Sequence, residues 1–454
     1  MEPRRSRFII VGGGPVGLTA AHALSRAGID FILLESRKSI VLEAGSNLVL
    51  LPIGLRVLGQ LGLLPAINKV SSAMSRFKRL DHDGRDMGDT MFFSHLRDNF
   101  GAYPRVISRH DLMQVLWDAL PAADRARLLP NKKVVDITAA SDGVVVQCRD
   151  GTSYEGFMIV GADGAHSMVR EHMRDFALQQ GSPEQPPGSL PPQINDQQPF
   201  LTSYRSLWVR FPTLQGLHAG DAMETHGHDL TLQLFAGEES TVIGIYERLD
   251  KPTRESQRYV QADEDAFIAR WGHLPINESG SGSSGSGRGG SLTTADVYKA
   301  RSQSGLVNLE EGVVQHWSWG SRVVLVGDAA HKFTPSTGAG CNNGIVDVVE
   351  LANQPQPRLP PCIIAAFADY QKARYTAVKN SMDEASRATA SATWSNTASK
   401  FVDRYVISHQ GLQKLFSQMG SQQMAKTPVF DYVGGEEPFT GKVPWEHPIK
   451  PLAI

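Results

Sequence analysis

Apolar positions follow two rhythms along this chain. Phe8-Ile9-Ile10-Val11 is a continuous apolar run rich in β-branched residues, the pattern of a strand buried on both faces. Leu18 to Ala27 reads as a helix ended by Gly28, and Ile29 to Leu34 as a second buried strand closing on Glu35. Ser108 to Leu120 carries Leu112, Leu116 and Leu120 with Met113 and Trp117 at helical spacing. Three strand-like runs follow, Lys133 to Thr138, Gly143 to Cys148 and Ser153 to Val160. The last two are joined by an Asp150-Gly151 hairpin turn. Phe200 to Phe211, Asp229 to Phe235 and Ser240 to Arg248 alternate in the manner of an antiparallel sheet. Ser321 to Val326 is another buried-strand run, and a helix from about Asn342 carries Ile345, Val348, Val349 and Ala352.

This order of elements predicts an α/β protein. A Rossmann-like domain with an inserted antiparallel β-meander takes residues 1–80, 104–176 and 296–380. A second domain on an antiparallel sheet takes 81–103 and 177–295, and a C-terminal helical region takes 381–454. Length supports this division, since 454 residues suit two or three domains. The formal net charge of −2 gives no electrostatic reason to expect nucleic acid or an anionic membrane as partner. Cys148, Cys341 and Cys362 are scattered and form no disulfide framework. No apolar stretch approaches the ~20 residues that span a bilayer, so stable membrane insertion is not expected and the reading is cytoplasmic.

The chemistry starts at Gly12-Gly13-Gly14-Pro15-Val16-Gly17. Gly12 permits a tight turn, Gly14 lets backbone approach a pyrophosphate, and Gly17 lets helix and strand pack closely. The helix N-terminus offers unpaired N–H groups to phosphate, and Glu35 can accept from an adenosine ribose. A second GxGxxG, Gly280 to Gly285, lies in a Gly/Ser run from Ser279 to Ser291 and reads as a linker. Gly161-Ala162-Asp163-Gly164 closes one strand, with Ser167 and Arg170 at the opening of a helix. Gly327-Asp328 closes another, followed by Pro335 and the loop Gly338 to Gly344. Asp328 can accept from a ribityl hydroxyl, and Gly338, Gly340 and Cys341 bring backbone close to a planar ring. His226-Gly227-His228 lacks a ligand set at metal spacing and reads as exposed turn histidines, so no metal is expected.

In this order and spacing the motifs resemble the group A FAD-dependent monooxygenases, the p-hydroxybenzoate hydroxylase fold. The resemblance runs through Gly12 to Gly17 with Glu35, Arg109-His110-Asp111-Leu112, Gly161 to Arg170, and Gly327-Asp328 with Pro335 and Gly338 to Asn342. It implies that Glu35 binds the FAD ribose and that Arg109 contacts the FAD chain. It further implies that Asp163 and Gly164 serve FAD and NAD(P)H, and that Asp328 holds the ribityl chain. Pro335, Gly338, Gly340, Cys341 and Asn342 would lie at the isoalloxazine. Leu51 to Leu58, Gln60 to Leu63, Tyr204 to Trp208, Leu309 to Val313 and Trp317 to Gly320 look closest to fungal epoxidases and hydroxylases of meroterpenoid and indole-alkaloid pathways. That subfamily points to Tyr204 and Arg205 as catalytic candidates and to Val49 at the position of a small FAD-contacting residue. Ala339 replaces the usual glutamine of the flavin loop, and Trp208 to Phe211 replace a Phe-Gly-Ile-Ser run.

The resemblance implies an enzyme in which NADPH or NADH, bound transiently, reduces FAD. One oxygen of O₂ then goes to an alkene or aromatic ring of a large apolar small molecule. The alternatives are a halogenase or reductase of the same fold, or a non-catalytic FAD-bound module. Trp317-Ser318-Trp319 lacks the Ile-Pro of a halogenase WxWxIP segment.

Overall fold

The computed structural model describes residues 7–42, 45–140, 142–180, 194–277, 292–355 and 360–452. The apolar runs form a six-stranded sheet in the order Ser318–Trp319, Val323–Leu325, Met158–Gly161, Phe8–Val11, Phe31–Leu34, Leu128–Leu129. All pairings are parallel except that of the edge strand Ser318–Trp319. Ile9, Leu33, Ile159 and Val324 are fully buried, as strands covered on both faces require. The helices Pro15–Arg26 and Ala339–Asn353 pack against it, so both glycine turns open at the C-terminal ends of its strands. Ligands bind at that end in open parallel sheets.

The run expected from Ser153 to Val160 is two strands. Ser153–Gly156 completes the antiparallel meander with Gly143–Cys148 and Val134–Ala140, and Met158–Gly161 crosses into the parallel sheet. The crossing is at Gly156, where a Cβ would stand 2.8 Å from the Arg7 carbonyl oxygen. The helix expected from Asn342 begins three residues earlier, at Ala339, because Gly338 takes a left-handed φ of +65° and turns the chain directly into it.

The second sheet has eight strands, in the order His331–Lys332, Gln303–Val313, Leu201–Pro212, Ser240–Thr253, Leu230–Ala236, Asp221–Gly227, Arg76–Asp81, Asp86–Thr90. It takes in Arg76–Asp81 and Gln303–Val313, two segments the sequence placed in the Rossmann-like domain. The helix Met168–Gln180 likewise runs past the expected boundary at 176. The sheet's outer face, with Leu207, Val209, Leu232 and Ile245, packs under the helices Gln261–Trp271 and Thr294–Lys299 through Phe267 and Val297. Its inner face turns toward the glycine turns. The helix Pro360–Ala392 spans the two sheets, with Tyr370 donating to the Leu325 carbonyl and Thr389 bonded to Thr334 and Ser336. The Gly/Ser run with the second GxGxxG lies outside the described residues.

Candidate cofactor and substrate site

The first glycine turn is built as a cradle. A Cβ on Gly12 would lie 2.4 Å from the Ala162 carbonyl oxygen, and one on Gly17 would lie 1.9 Å from the Gly12 carbonyl oxygen. At Gly14 the nearest atom to a Cβ is Arg109 Nη2, 3.6 Å away, so the space above it is open. The helix begun by Pro15 has no side-chain cap. Uncapped N–H donors, an open gap and a guanidinium make an anion site. The Arg109 guanidinium has no hydrogen-bond partner among the described residues. Burial pulls its pKa below the ordinary value, Arg37 adds to this, and Cys341, Asp328 and Glu35 oppose it.

Glu35 lies at the other side of the turn. Its Oε2 accepts from the Gly13 N–H at 2.7 Å, and its Oε1 accepts from the Arg37 backbone and Nε at 2.8 and 2.9 Å. Burial pushes the carboxyl pKa up, but the Arg37 and Gly13 bonds outweigh it and hold it below its usual value. Arg37 is therefore part of this site. Its spacing, two residues after the acid, was the available signal.

Asp163 lies beside the cradle, its Cα 2.8 Å from where a Cβ on Gly12 would stand. Its carboxylate accepts from Ser167 Oγ at 2.5 Å and from the Val169 N–H at 3.1 Å, capping the helix Met168–Gln180. That helix holds Arg170, which donates to the Ala165 and Ala329 carbonyls and so ties the Asp163 turn to the residue after Asp328. Burial raises the pKa of Asp163. The Asp328 carboxylate has no hydrogen-bond partner among the described residues. Its turn is fixed from behind by Asp347, which accepts from the Gly327 N–H, from Arg374 Nε at 2.8 Å and from His331 Nε2 at 2.5 Å. Burial pushes Asp347 up, but His331 and Arg374 hold its pKa at about 2.

Past Asp328, Pro335 opens a 3₁₀ turn, Pro335–Thr337, and Gly338 starts the helix Ala339–Asn353, which again has no side-chain cap. A Cβ at Gly340 would meet nothing closer than 3.8 Å, so the helix N-terminus is open there. Burial, with Asp328 adding to it, pushes the Cys341 thiol up to about 12. Asn342 was expected at the ring itself. Its side chain is instead consumed by backbone, accepting from the Leu51 N–H and donating to the Val49 and Gly338 carbonyls. It pins the Asn47–Leu50 strand to the loop, and Val49 stands over Gly338, where a Cβ would come within 3.0 Å of the valine Cβ.

The catalytic pair expected from the sequence is split by strand alternation. Arg205 shares the outer face with Leu207, bonds Glu247 Oε2 at 2.6 Å and lies over the rings of Tyr259 and Phe267. It points away from the cradle. Tyr204 is on the inner face but buried beneath the helix Pro360–Ala392, its hydroxyl 3.3 Å from Thr393 Oγ1. Burial raises its pKa. Trp208 and Arg210 continue the inner row. Gly305 and Gly244 leave room for the Trp208 indole and the Tyr246 ring to lie against the sheet, since a Cβ on either would come within 3.0 Å of those rings. Trp208 is half-buried, and its Nε1 has no hydrogen-bond partner among the described residues.

Next to this aromatic floor runs a polar chain that sequence reasoning missed. The Tyr246 hydroxyl donates to Gln233 Oε1, and Gln233 Nε2 donates to Glu224 and to the Ser336 carbonyl of the glycine loop. Glu224 accepts from His226 Nε2 at 2.7 Å, and His226 Nδ1 meets Asp403 at 2.9 Å. Asp403 also pairs with Arg79 at 2.6 Å. His226 is thus a buried strand residue and not the exposed turn histidine its Gly227 neighbour suggested. Burial works to lower its pKa, but Glu224 and Asp403 raise it to about 9.

The FAD binding domain family matches residues 5–185 and 291–354. The FAD-dependent monooxygenase verC1 of Penicillium polonicum is 33% identical over 84% of this chain, which spans 46% of that protein's length. The FAD-dependent monooxygenase DEP2 of Alternaria brassicicola is 29% identical over 98% of the chain and 83% of its own length. The FAD-dependent monooxygenase ausM of Penicillium brasilianum is 28% identical over 90% and 84%. Among solved structures, p-nitrophenol 4-monooxygenase PnpA from Pseudomonas putida superposes with a TM-score of 0.68 at 19% identity, covering 92% of this chain and 97% of that one. Klebsiella pneumoniae HpxO complexed with FAD and uric acid gives 0.67 at 20% identity, covering 92% and 96%. At these identities the superpositions speak for the fold.

Proposed function

The chain belongs to the group A FAD-dependent monooxygenases, and we propose that it inserts one oxygen from O₂ into an electron-rich alkene or aromatic ring of a large apolar secondary metabolite, such as a prenylated indole alkaloid or meroterpenoid. NADPH or NADH serves as transient hydride donor. The cradle fits FAD on its geometry: an open phosphate gap at Gly14 beside Arg109, an unpartnered carboxylate at Asp328, and a second uncapped helix start at Gly338. The chemistry a bound FAD would supply there is acceptance of hydride and activation of O₂.

The chain's own residues do the rest. Arg109 and the first turn of Pro15–Arg26 hold the pyrophosphate, Glu35 with Arg37 takes the ribose, and Asp328 takes the ribityl hydroxyls. Asp163, whose turn is tied by Arg170 to Ala329, and Asn342, through the Val49 strand, position these groups. Gln233 fixes the Ser336 carbonyl, and with it the glycine loop, against the substrate sheet. Trp208, backed by the buried Tyr246, offers the substrate an apolar face and helps keep water from the reacting centre.

The observation that carries the apolar substrate is Trp208. It is half-buried over Gly305, lacks a polar partner among the described residues, and sits on the face that meets the loop. The test is a substrate panel with purified protein. A bound chromophore absorbing near ~450 nm is expected of any flavin, with NADPH consumption stimulated by prenylated indoles or meroterpenoids and not by small charged aromatics. Chloride-dependent turnover would favour halogenation. Consumption that stays at background with every compound would favour a non-catalytic role.

A further inference from the structure

Beyond the active site, one segment carries an unusual load. The helix Thr397–Phe401, the π-helical turn Val402–Ile407 and the helix Gln410–Ala425 follow the long helix. Within residues 401–419 lie six of the fifteen exposed large apolar side chains among the described residues: Phe401, Val402, Tyr405, Leu415, Phe416 and Met419. Phe401, Tyr405 and Met419 are 59, 66 and 60% exposed. Single exposed apolar residues need no explanation, but six in nineteen positions do.

The exposure at the turn is enforced. Asp403, fully buried, is held by Arg79, His226 Nδ1 and the Trp394 indole N–H. With that residue locked inward, the π-helical turn directs Phe401, Val402 and Tyr405 outward, and the Phe401 and Tyr405 rings pack at 5.1 Å. The segment cannot roll to hide them without breaking a buried ion pair, which costs several kcal/mol in general.

Charge selects what covers it. From Asn396 to Lys426 the chain carries Lys400, Arg404, Lys414 and Lys426, and its sole acid is the buried Asp403. The whole-chain charge of −2 conceals this local imbalance. Arg404 reaches Asp81 at 3.6 Å, and Lys400 lies over the Trp394 ring. Protein–protein interfaces are depleted in lysine, and a second copy of the same cationic face would repel this one. Lysines and arginine interleaved with aromatics and aliphatics instead match a headgroup boundary. No helix among the described residues is long and apolar enough to cross a membrane, so the contact is peripheral.

We propose that residues 397–426 form a docking face for an anionic lipid surface, seating Phe401, Tyr405, Phe416 and Met419 among the headgroups. The test is flotation of the FAD-loaded protein with vesicles of phosphatidylcholine alone and of phosphatidylcholine with one-quarter phosphatidylserine. The protein is expected to float with the anionic vesicles, less so at high salt, with affinity falling roughly five-fold for each of Lys400→Gln and Lys414→Gln. The double variant Phe401→Ser/Tyr405→Ser should stay at the bottom while keeping its bound flavin, which separates lost docking from misfolding. Absence of flotation with either vesicle overturns the proposal, as does equal flotation of the double variant. Gel filtration showing a dimer that the double variant dissolves would also overturn it, assigning the face to a second copy.

Discussion

Gln233 Nε2 donates to the Ser336 carbonyl at 2.9 Å, joining the substrate sheet to the turn that starts the second uncapped helix. The same amide nitrogen donates to Glu224 at 2.7 Å. Gln233→Leu leaves both acceptors short of a donor, a loss of about 1–3 kcal/mol. The variant is expected to bind FAD, melt at lower temperature and show a shifted visible flavin spectrum, because the loop is no longer fixed. A spectrum identical to wild type would detach Ser336 from the flavin.

His226 sets a pH dependence. Its folded pKa of about 9 lies above the unfolded value of 6.5, so the stability it contributes is fully present below pH 6.5 and lost as pH rises through about 9. The groups facing it are Glu224 and Asp403, with Arg79 behind Asp403. The loss is on the order of 3 kcal/mol. Denaturant midpoints of wild type should fall between pH 6.5 and 9.5, and those of His226→Gln should follow a flatter course. Parallel curves would place the titration elsewhere.

The cradle separates two glycines. Gly17→Ala puts a methyl 1.9 Å from the Gly12 carbonyl oxygen, so it is expected to disrupt the turn itself, with lower stability and no bound flavin. A Cβ on Gly14 would meet only Arg109, 3.6 Å away, so with Gly14→Val the chain should fold while the phosphate gap is filled. Near wild-type helicity with flavin retention down by roughly 100-fold is expected, equivalent to about 3 kcal/mol of binding. Full retention by Gly14→Val would move the pyrophosphate away from this turn.

Arg205 is expected to be structural. Arg205→Met removes a partner from the buried Glu247, which keeps Arg270 and Trp271 as donors at 2.9 Å. A stability loss of about 1 kcal/mol with turnover within about three-fold of wild type is expected, since the exposed side of such a pair contributes little. A fall of two orders of magnitude in turnover at unchanged stability would restore Arg205 to the chemistry.

Much of the nucleotide end was legible because its determinants are local. Gly12 to Gly17 and Gly327-Asp328 act within a few residues of their strands, and the structure puts both turns at one end of the parallel sheet. The substrate end was not legible because its determinants are distant. Arg79, Glu224, His226 and Asp403 meet from three segments, and Arg76–Asp81 reads as polar until it pairs with Asp221–Gly227. Neighbours such as Tyr204 and Arg205 looked like a pair because sequence adjacency hides the period of two in a strand. Asp163 and Asn342 sat in the right motifs, but Asp163 bonds the Ser167 hydroxyl and the Val169 N–H, and the Asn342 side chain is spent on backbone.

The most direct measurement is the fate of oxygen. Purified protein carrying FAD is incubated with NADPH, a prenylated indole or meroterpenoid substrate and ¹⁸O₂, and the product is analysed by mass spectrometry. The account predicts product carrying one heavy oxygen atom, formed only when flavin is bound, and lost in Gly14→Val. Product with no heavy oxygen, or labelled product from the flavin-free variant, would contradict it.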